Sequence, residues 1–148
     1  MKILVDADAC PVRDIIVKIA KEFHIPVIMY TDTCHTIEDD YSKKIIVDKG
    51  ADSVDIALIN NTEQNDIIIS QDYGVAAMAL SKKAYALNQN GLIYTKDNID
   101  KLLFERHISQ KIRRSGKKTP NPRKRVKADN KNFEQALKKL IKLILTAI

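Results

Sequence analysis

The sequence begins Met1-Lys2-Ile3-Leu4-Val5-Asp6-Ala7-Asp8-Ala9-Cys10-Pro11, and this stretch decides the fold. Its continuous apolar run is typical of a strand that is buried on both faces of a parallel sheet. Pro11 suits the first position of a helix, because its missing N–H would have no intrahelical partner there. The stretch therefore predicts a strand followed by a helix, with Asp6 and Asp8 at the carboxyl end of the strand.

The rest of the chain repeats this alternation of strands and helices. Apolar runs and alternating patterns predict strands at 26–30, 44–48, 66–70 and 84–87, with a short ribbon at 92–94. Apolar side chains at helical spacing predict helices at 12–24, 53–61, 73–83 and 98–114, with an amphipathic stretch at 132–148. We expect an α/β fold with three layers, α/β/α, around a mainly parallel sheet of order about 3-2-1-4-5.

The composition bounds the class of protein. The 148 residues, 45% of them hydrophobic and 30% charged, are enough for one domain with its own core. We expect an α/β domain over 1–115, and a basic linker and C-terminal helix over 116–148 that pack on it or mediate homo-oligomerisation. The chain has no apolar run of about 18–20 residues for a membrane span. Two cysteines and no signal-peptide pattern predict a reducing, cytoplasmic location.

Positive charge is concentrated near the C-terminus. Residues 1–105 carry 11 Lys/Arg and 17 Asp/Glu, whereas residues 106–127 carry 10 Lys/Arg and no acid. A basic segment on an acidic body indicates a polyanionic partner, and we expect RNA, bound through its phosphates. The residues predicted to contact nucleic acid are Arg106, Lys111, Arg113, Arg114, Lys117, Lys118, Arg123, Lys124 and Arg125.

Acidic side chains follow the first and the fourth predicted strands. In the predicted order these strands are neighbours, and the winding of the sheet reverses between them, which is where such sheets bind ligands. Asp6, Asp8 and Asp72 would then converge, and gathered carboxylates need a cation or a shared proton. Their hard oxygen atoms favour Mg²⁺ or Mn²⁺, which organise phosphoryl transfer. The alternative is that Asp8 and Asp72 only cap the helices that follow them.

Two further acids come after Gly50. Asp52 and Asp55 are three residues apart, so a helix would show both on one face, beside the same edge of the sheet. We expect both to contribute to the metal site, and Asp52 is equally well placed to be a helix N-cap.

The chain resembles the YaiI/YqxD family of uncharacterised bacterial proteins. The resemblance covers nearly the whole length and rests on the opening motif Val5 to Pro11 and on Ser70-Gln71-Asp72-Tyr73-Gly74. At a greater distance the layout is similar to PIN and NYN domains, which are Mg²⁺/Mn²⁺-dependent ribonucleases. That resemblance implies that Asp6, Asp55 and Asp72 hold the metal ions.

These observations predict a metal-dependent hydrolase that cleaves RNA, with Asp6, Asp8 and Asp72 as catalytic residues. Asp8 would position or deprotonate the attacking water. One alternative is an aspartyl-nucleophile phosphatase, because Asp6-x-Asp8 can form a nucleophile and acid pair, although Cys10 stands where such enzymes carry a hydroxyl. Another is a non-catalytic RNA-binding or ribosome-associated module.

Overall fold

The computed structural model describes residues 1–8, 10–32, 38–48, 53–120 and 123–147. The strands in these ranges are β1 Ile3–Asp6, β2 Val27–Asp32, β3 Lys43–Val47, β4 Ile67–Ile69, β5 Tyr85–Leu87 and β6 Ile93–Tyr94. The helices are α1 Arg13–Phe23, α2 Ser53–Asn60, α3 Tyr73–Ser81, α4 Lys96–Arg114 and α5 Lys127–Ala147. No helix among the described residues is both long and apolar enough to cross a membrane.

The strands form one sheet of order β3-β2-β1-β4-β5-β6, which confirms the predicted order and adds β6 at the edge. All neighbouring strands are parallel except β5 and β6. β1 is central, and its Val5 is in register with Ile69 of β4. The chain winds outward in one direction through β2 and β3 and in the other through β4 and β5. The reversal therefore lies between β1 and β4, directly beneath Asp6 and Ser70.

Alternate side chains of the sheet enter two separate cores. Ile3 and Val5 pack with the apolar faces of α1 and α5, whereas Leu4 packs on the opposite side with α2, α3 and α4. Burial of both faces explains the unbroken apolar run of β1. The fold therefore has the three predicted layers, with α5 forming part of the first core through Phe133 and Leu137.

The C-terminal segment is fixed to the body before α5 begins. Arg123 makes two hydrogen bonds to the Asp129 carboxylate, at 2.8 and 3.0 Å. Arg125 donates to the Asn90 side chain at 2.6 Å and to the Gln89 carbonyl oxygen at 2.9 Å, in the turn between β5 and β6. Arg123, Arg125 and Asp129 are called the C-terminal clamp below.

The same turn approaches α5 closely at Gly91. Gly91 has a φ of +88°, and a Cβ atom there would lie 2.7 Å from the backbone oxygen of Asn132. The turn therefore requires glycine at this position for two reasons: the backbone is left-handed, and α5 approaches too closely for a side chain.

Candidate active site

Asp6 and Ser70 lie side by side where β1 and β4 end. The Ser70 hydroxyl donates to Asp6 Oδ2 at 3.4 Å and accepts from the backbone N–H of Asp72 at 3.0 Å. Ser70 is 4% exposed, and its carbonyl oxygen accepts a hydrogen bond of 3.2 Å from the Tyr94 hydroxyl. One buried serine therefore fixes the loop of Asp72 against the end of β1.

The charge of Asp6 is unfavourable in this position. Burial, together with the nearby carboxylates of Asp55, Asp8 and Asp72, raises the pKa of Asp6 to about 6, against a smaller opposing effect of the Ser70 hydrogen bond. Like charges and loss of solvent both disfavour the ionised form of a carboxyl group. Asp6, Asp8, Asp55 and Asp72 are therefore one electrostatic group, called the acid edge below.

Asp72 caps α3. Its Oδ1 atom accepts from the backbone N–H of Gly74 at 2.8 Å and of Val75 at 3.3 Å. These bonds satisfy N–H groups that the first turn of a helix leaves without a partner. The predicted cap by Asp72 is thus confirmed, and its role as a metal ligand stays a prediction; the same carboxylate lines a space shared with Asp6.

Asp8 does not cap a helix. Its side chain accepts from the Thr31 hydroxyl at 2.6 Å and from the backbone N–H of Asp32 at 3.2 Å, both at the carboxyl end of β2. The N-cap position of α1 is occupied by Val12, without a side-chain cap. The capping alternative for Asp8 is therefore wrong, because the end of β2 binds this carboxylate to the same edge of the sheet as Asp6.

Asp55 lies in the first turn of α2, on the sheet face opposite α1 and α5. Among the carboxylates near Asp6, that of Asp55 raises the pKa of Asp6 the most. α2 therefore places Asp55 close to Asp6. Asp52 lies outside the described residues.

A cleft of about 660 Å³ separates the acid edge from α4. Asp6, Asp72 and Tyr73 line one side, and α4 contributes the other. From α4 come Glu105 and the two arginines Arg106 and Arg113. The arginines are seven residues apart, or about two helical turns, and therefore share a face. This space is called the basic cleft below. It brings the two kinds of predicted functional residue, acids and cations, into one site.

The remaining predicted cations divide into two groups. Lys111, Arg114, Lys117, Lys118 and Lys124 are exposed side chains that do not line the basic cleft. Arg123 and Arg125 belong to the C-terminal clamp, where the protein itself supplies their hydrogen-bond partners. Of the nine cations, Arg106 and Arg113 line the cleft together with Asp6 and Asp72.

A small cavity of about 40 Å³ lies on the other side of Asp6, where Asp8, Cys10 and Ser70 line it. It has room for one water molecule. Gln71 and Gln89 close it, joined by a hydrogen bond of 2.5 Å from the Gln71 side chain to the Gln89 oxygen. Burial raises the pKa of Cys10, which keeps the thiol protonated.

Sequence reasoning did not single out Ser70, Gln71, Thr31 or Gln89 as site residues. Ser70 and Gln71 stand directly before Asp72, at the end of a predicted strand, and this position could have identified them as site residues. Thr31 and Gln89 reach the site only through strand pairing and loop packing, which no local pattern encodes.

The donor chemistry of the acid edge suits a hard divalent cation. Within the described ranges, no three Asp, Glu, His or Cys side chains form a group that could hold a metal ion. Mg²⁺, however, is usually bound by one or two carboxylates together with water and substrate phosphate, so a complete protein cage is not required. A cation beside Asp6 would offset the repulsion that raises the pKa of this carboxyl.

Comparison with known proteins gives one family. Residues 4–143 match the family described as "Uncharacterized BCR, YaiI/YqxD family". A UPF0178 protein of Ruminiclostridium cellulolyticum is 61% identical over 96% of this chain and 93% of its own length. UPF0178 proteins of Alkaliphilus oremlandii and Natranaerobius thermophilus are 58% and 49% identical, over 93% and 95% of this chain and 88% and 96% of theirs. No solved structure matches the chain.

Proposed function

The chain belongs to the YaiI/YqxD family, and we propose that it is a divalent-metal-dependent hydrolase that cleaves phosphodiester bonds in RNA. The observation that carries the proposal is the basic cleft, in which Asp6 and Asp72 face Arg106 and Arg113. A phosphodiester needs cations to hold its charge and an anionic site for the metal that activates water. The basic cleft offers both within one space of about 660 Å³.

The residues of the acid edge have different tasks in this proposal. Asp6 is the principal ligand, and Asp72 and Asp55 add negative charge around it. When bound, Mg²⁺ or Mn²⁺ lowers the pKa of a water molecule and neutralises charge on the phosphate oxygen. Asp8 faces the same small cavity as Asp6, where its carboxylate can orient a water molecule and accept its proton.

Arg106 and Arg113 bind the phosphates on both sides of the bond to be cleaved. Arginine suits this task because its planar guanidinium donates two parallel hydrogen bonds to a phosphate. Arg113 also donates to the Thr119 hydroxyl at 2.9 Å, which limits the directions its guanidinium can take. Pre-ordering of this kind lowers the entropy that binding must overcome.

The test is a cleavage assay on single-stranded and structured RNAs with Mn²⁺ or Mg²⁺, with EDTA and Asp6→Asn as controls. Asp14→Asn is a matched variant, because Asp14 is an exposed carboxylate in the first turn of α1. We expect cleavage by the wild type and by Asp14→Asn, and none with EDTA or with Asp6→Asn. Cleavage that persists in Asp6→Asn would refute the proposal.

A second function is favoured by the internal bonds of the acid edge. Asp72 is used as a helix cap, and Asp8 is bound to Thr31 and Asp32. These bonds favour an RNA-binding module without turnover, in which the carboxylates stabilise the loops. RNA binding that survives both EDTA and Asp6→Asn, without cleavage under any metal condition, would support this function instead.

A further inference from the structure

A second depression, an apolar groove, opens between α2 and α3. It has a volume of about 450 Å³, within the range of about 300–1,000 Å³ for small-ligand pockets. Ile59 and Val75 are buried and form its floor. Ile56 and Met78 form its two sides, and they are 58% and 48% exposed. Two large apolar side chains thus face each other across an open space without covering it.

The apolar groove adjoins the basic cleft. Asp72 lines both spaces, so the acid edge stands between them. Their charges differ, because the basic cleft contains Arg106 and Arg113 as well as Asp6, Asp72 and Glu105, whereas the charged residues that line the groove within the described ranges are Asp55 and Asp72. A phosphate would therefore find cations in the cleft and carboxylates alone in the groove. The groove is therefore suited to a neutral, flat and apolar part of a ligand whose phosphates lie in the cleft.

We propose that the apolar groove binds one unpaired nucleobase of the RNA whose phosphates occupy the basic cleft. This inference rests on the proposed function and specifies its substrate as single-stranded at the cleavage site. The faces of the base would contact Ile56 and the polarisable sulfur of Met78, which interacts favourably with aromatic rings. Asn60 also lines the groove, and its amide can both donate to and accept from a base edge.

A protein partner fits the same surface less well. Its apolar side chains would cover Asp55 and Asp72. Removing two carboxylates from water opposes such an association. A single base can enter between Ile56 and Met78 while the carboxylates at the end of the groove stay hydrated.

The experiment compares one single-stranded RNA with copies in which each nucleotide in turn is replaced by an abasic ribose. The full chain, with Mn²⁺, is assayed as wild type and as the double variant Ile56→Ser/Met78→Ser. Ile46→Ser is the control, because Ile46 is 62% exposed on β3 and does not line the groove. Direct binding of labelled RNA in EDTA is measured alongside, so that recognition is assessed apart from cleavage.

We expect one abasic position near the cleaved bond to raise the KM of the wild type about tenfold. The double variant should raise the KM for intact RNA by a similar factor, with no further loss on that abasic substrate. Ile46→Ser should remain within twofold of the wild type. An unchanged KM in the double variant, or no sensitive abasic position, would overturn the groove inference while cleavage itself persisted.

Other outcomes also decide the question. RNA that is neither bound nor cleaved by the wild type would overturn the proposed function and the groove inference together. If the double variant changed a dimer into a monomer, as measured by sedimentation, with no change in KM, the groove would be an interface between copies of the chain. That result would likewise overturn the assignment to a nucleobase.

Discussion

The acid edge and the C-terminal clamp are both charged regions, and they shift the pKa of a carboxyl group in opposite directions. In the clamp, hydrogen bonds from Arg123 lower the pKa of Asp129 to about 2, with help from the backbone N–H of Val126. At the acid edge, burial and neighbouring carboxylates raise the pKa of Asp6 to about 6. The clamp carries its own counter-charge, whereas the acid edge accumulates charge of one sign. Strongly perturbed groups of the second kind cluster at functional sites.

From this contrast we propose that the C-terminal region serves stability and that the acid edge serves the proposed function. Of the cations predicted to bind RNA, Arg125 holds the chain to its own β5–β6 turn and Arg123 bonds Asp129, whereas Arg106 and Arg113 of α4 line the cleft with Asp6 and Asp72. Substitutions confined to one region at a time separate a structural role from a functional one.

The largest expected effect is on the packing of the C-terminal helix. Phe133 is completely buried between α5 and the sheet, so Phe133→Ala should lower the free energy of unfolding by about 3–5 kcal/mol. Leu143→Ala is the control on the same helix, since Leu143 is 59% exposed and its loss should change stability by less than about 0.5 kcal/mol. Urea titration measures both. If Phe133→Ala lowered the free energy of unfolding as little as Leu143→Ala, the packing of α5 would not stabilise the domain.

The next effect concerns the basic cleft. Arg106→Glu/Arg113→Glu should weaken RNA binding roughly 10- to 100-fold and reduce the dependence of log K on log salt by about 2. The reason is that each arginine neutralises one phosphate. Lys139→Glu/Lys142→Glu makes the same charge change on exposed positions of α5. Fluorescence anisotropy at several salt concentrations measures RNA binding by both double variants. An equal loss of affinity in the two would contradict the assignment of phosphate binding to Arg106 and Arg113.

A smaller effect distinguishes the two carboxylates by their pH dependence. The raised pKa of Asp6 means that its ionisation opposes folding, so Asp6→Asn should gain stability relative to the wild type as pH rises from about 4 to above 6. The gain without metal should reach about 1 kcal/mol after allowance for solvent screening at this half-buried site.

Asp129→Asn should behave in the opposite way. The lowered pKa of Asp129 means that the wild type has its full advantage above about pH 4 and loses it as pH falls towards 2. Thermal unfolding of the wild type and both variants across pH 2–8 measures the two effects. Shifts of the same sign at pH 7 would contradict the contrast between the regions.

The smallest effect concerns Gly74. A Cβ atom there would lie 3.2 Å from Asp72 Oδ1, so Gly74→Ala should displace that carboxylate by a few tenths of an ångström. We expect kcat to fall roughly threefold, because active-site geometry is sensitive to small displacements. Alanine favours a helix over glycine by up to about 1 kcal/mol, so the melting temperature should not fall. A lower melting temperature with unchanged kcat would show that Gly74 affects stability and not catalysis.

The sequence predicts most of the sheet, because the spacing of apolar residues within a short segment is enough to identify a strand. The runs ending at Asp6 and Ser70 identify neighbouring buried strands, and the resulting order is confirmed by the structure. Helix ends are less accurate. α4 begins at Lys96 rather than at 98, because Thr95 and Asn98 cap it reciprocally without the Glu or Gln that marks such a cap in a sequence.

Contacts between distant segments could not be predicted. α5 begins at Lys127 rather than at 132, in a stretch without apolar period, where Asp129 is bound by Arg123 and Arg125 reaches Asn90. The same limitation applies to the acid edge. A strand end predicts the position of Asp8, but only the pairing of β1 with β2 shows that its partner is Thr31.

The most direct test of the account is the initial rate of RNA cleavage as a function of Mn²⁺ concentration, for the wild type, Asp6→Asn and Asp129→Asn at one temperature at which all are folded. The two variants make the same chemical change in the two regions. We predict a saturable, metal-dependent rate for the wild type and Asp129→Asn, and a rate at least about 100-fold lower for Asp6→Asn. Equal rates for the wild type and Asp6→Asn would contradict the assignment of function to the acid edge.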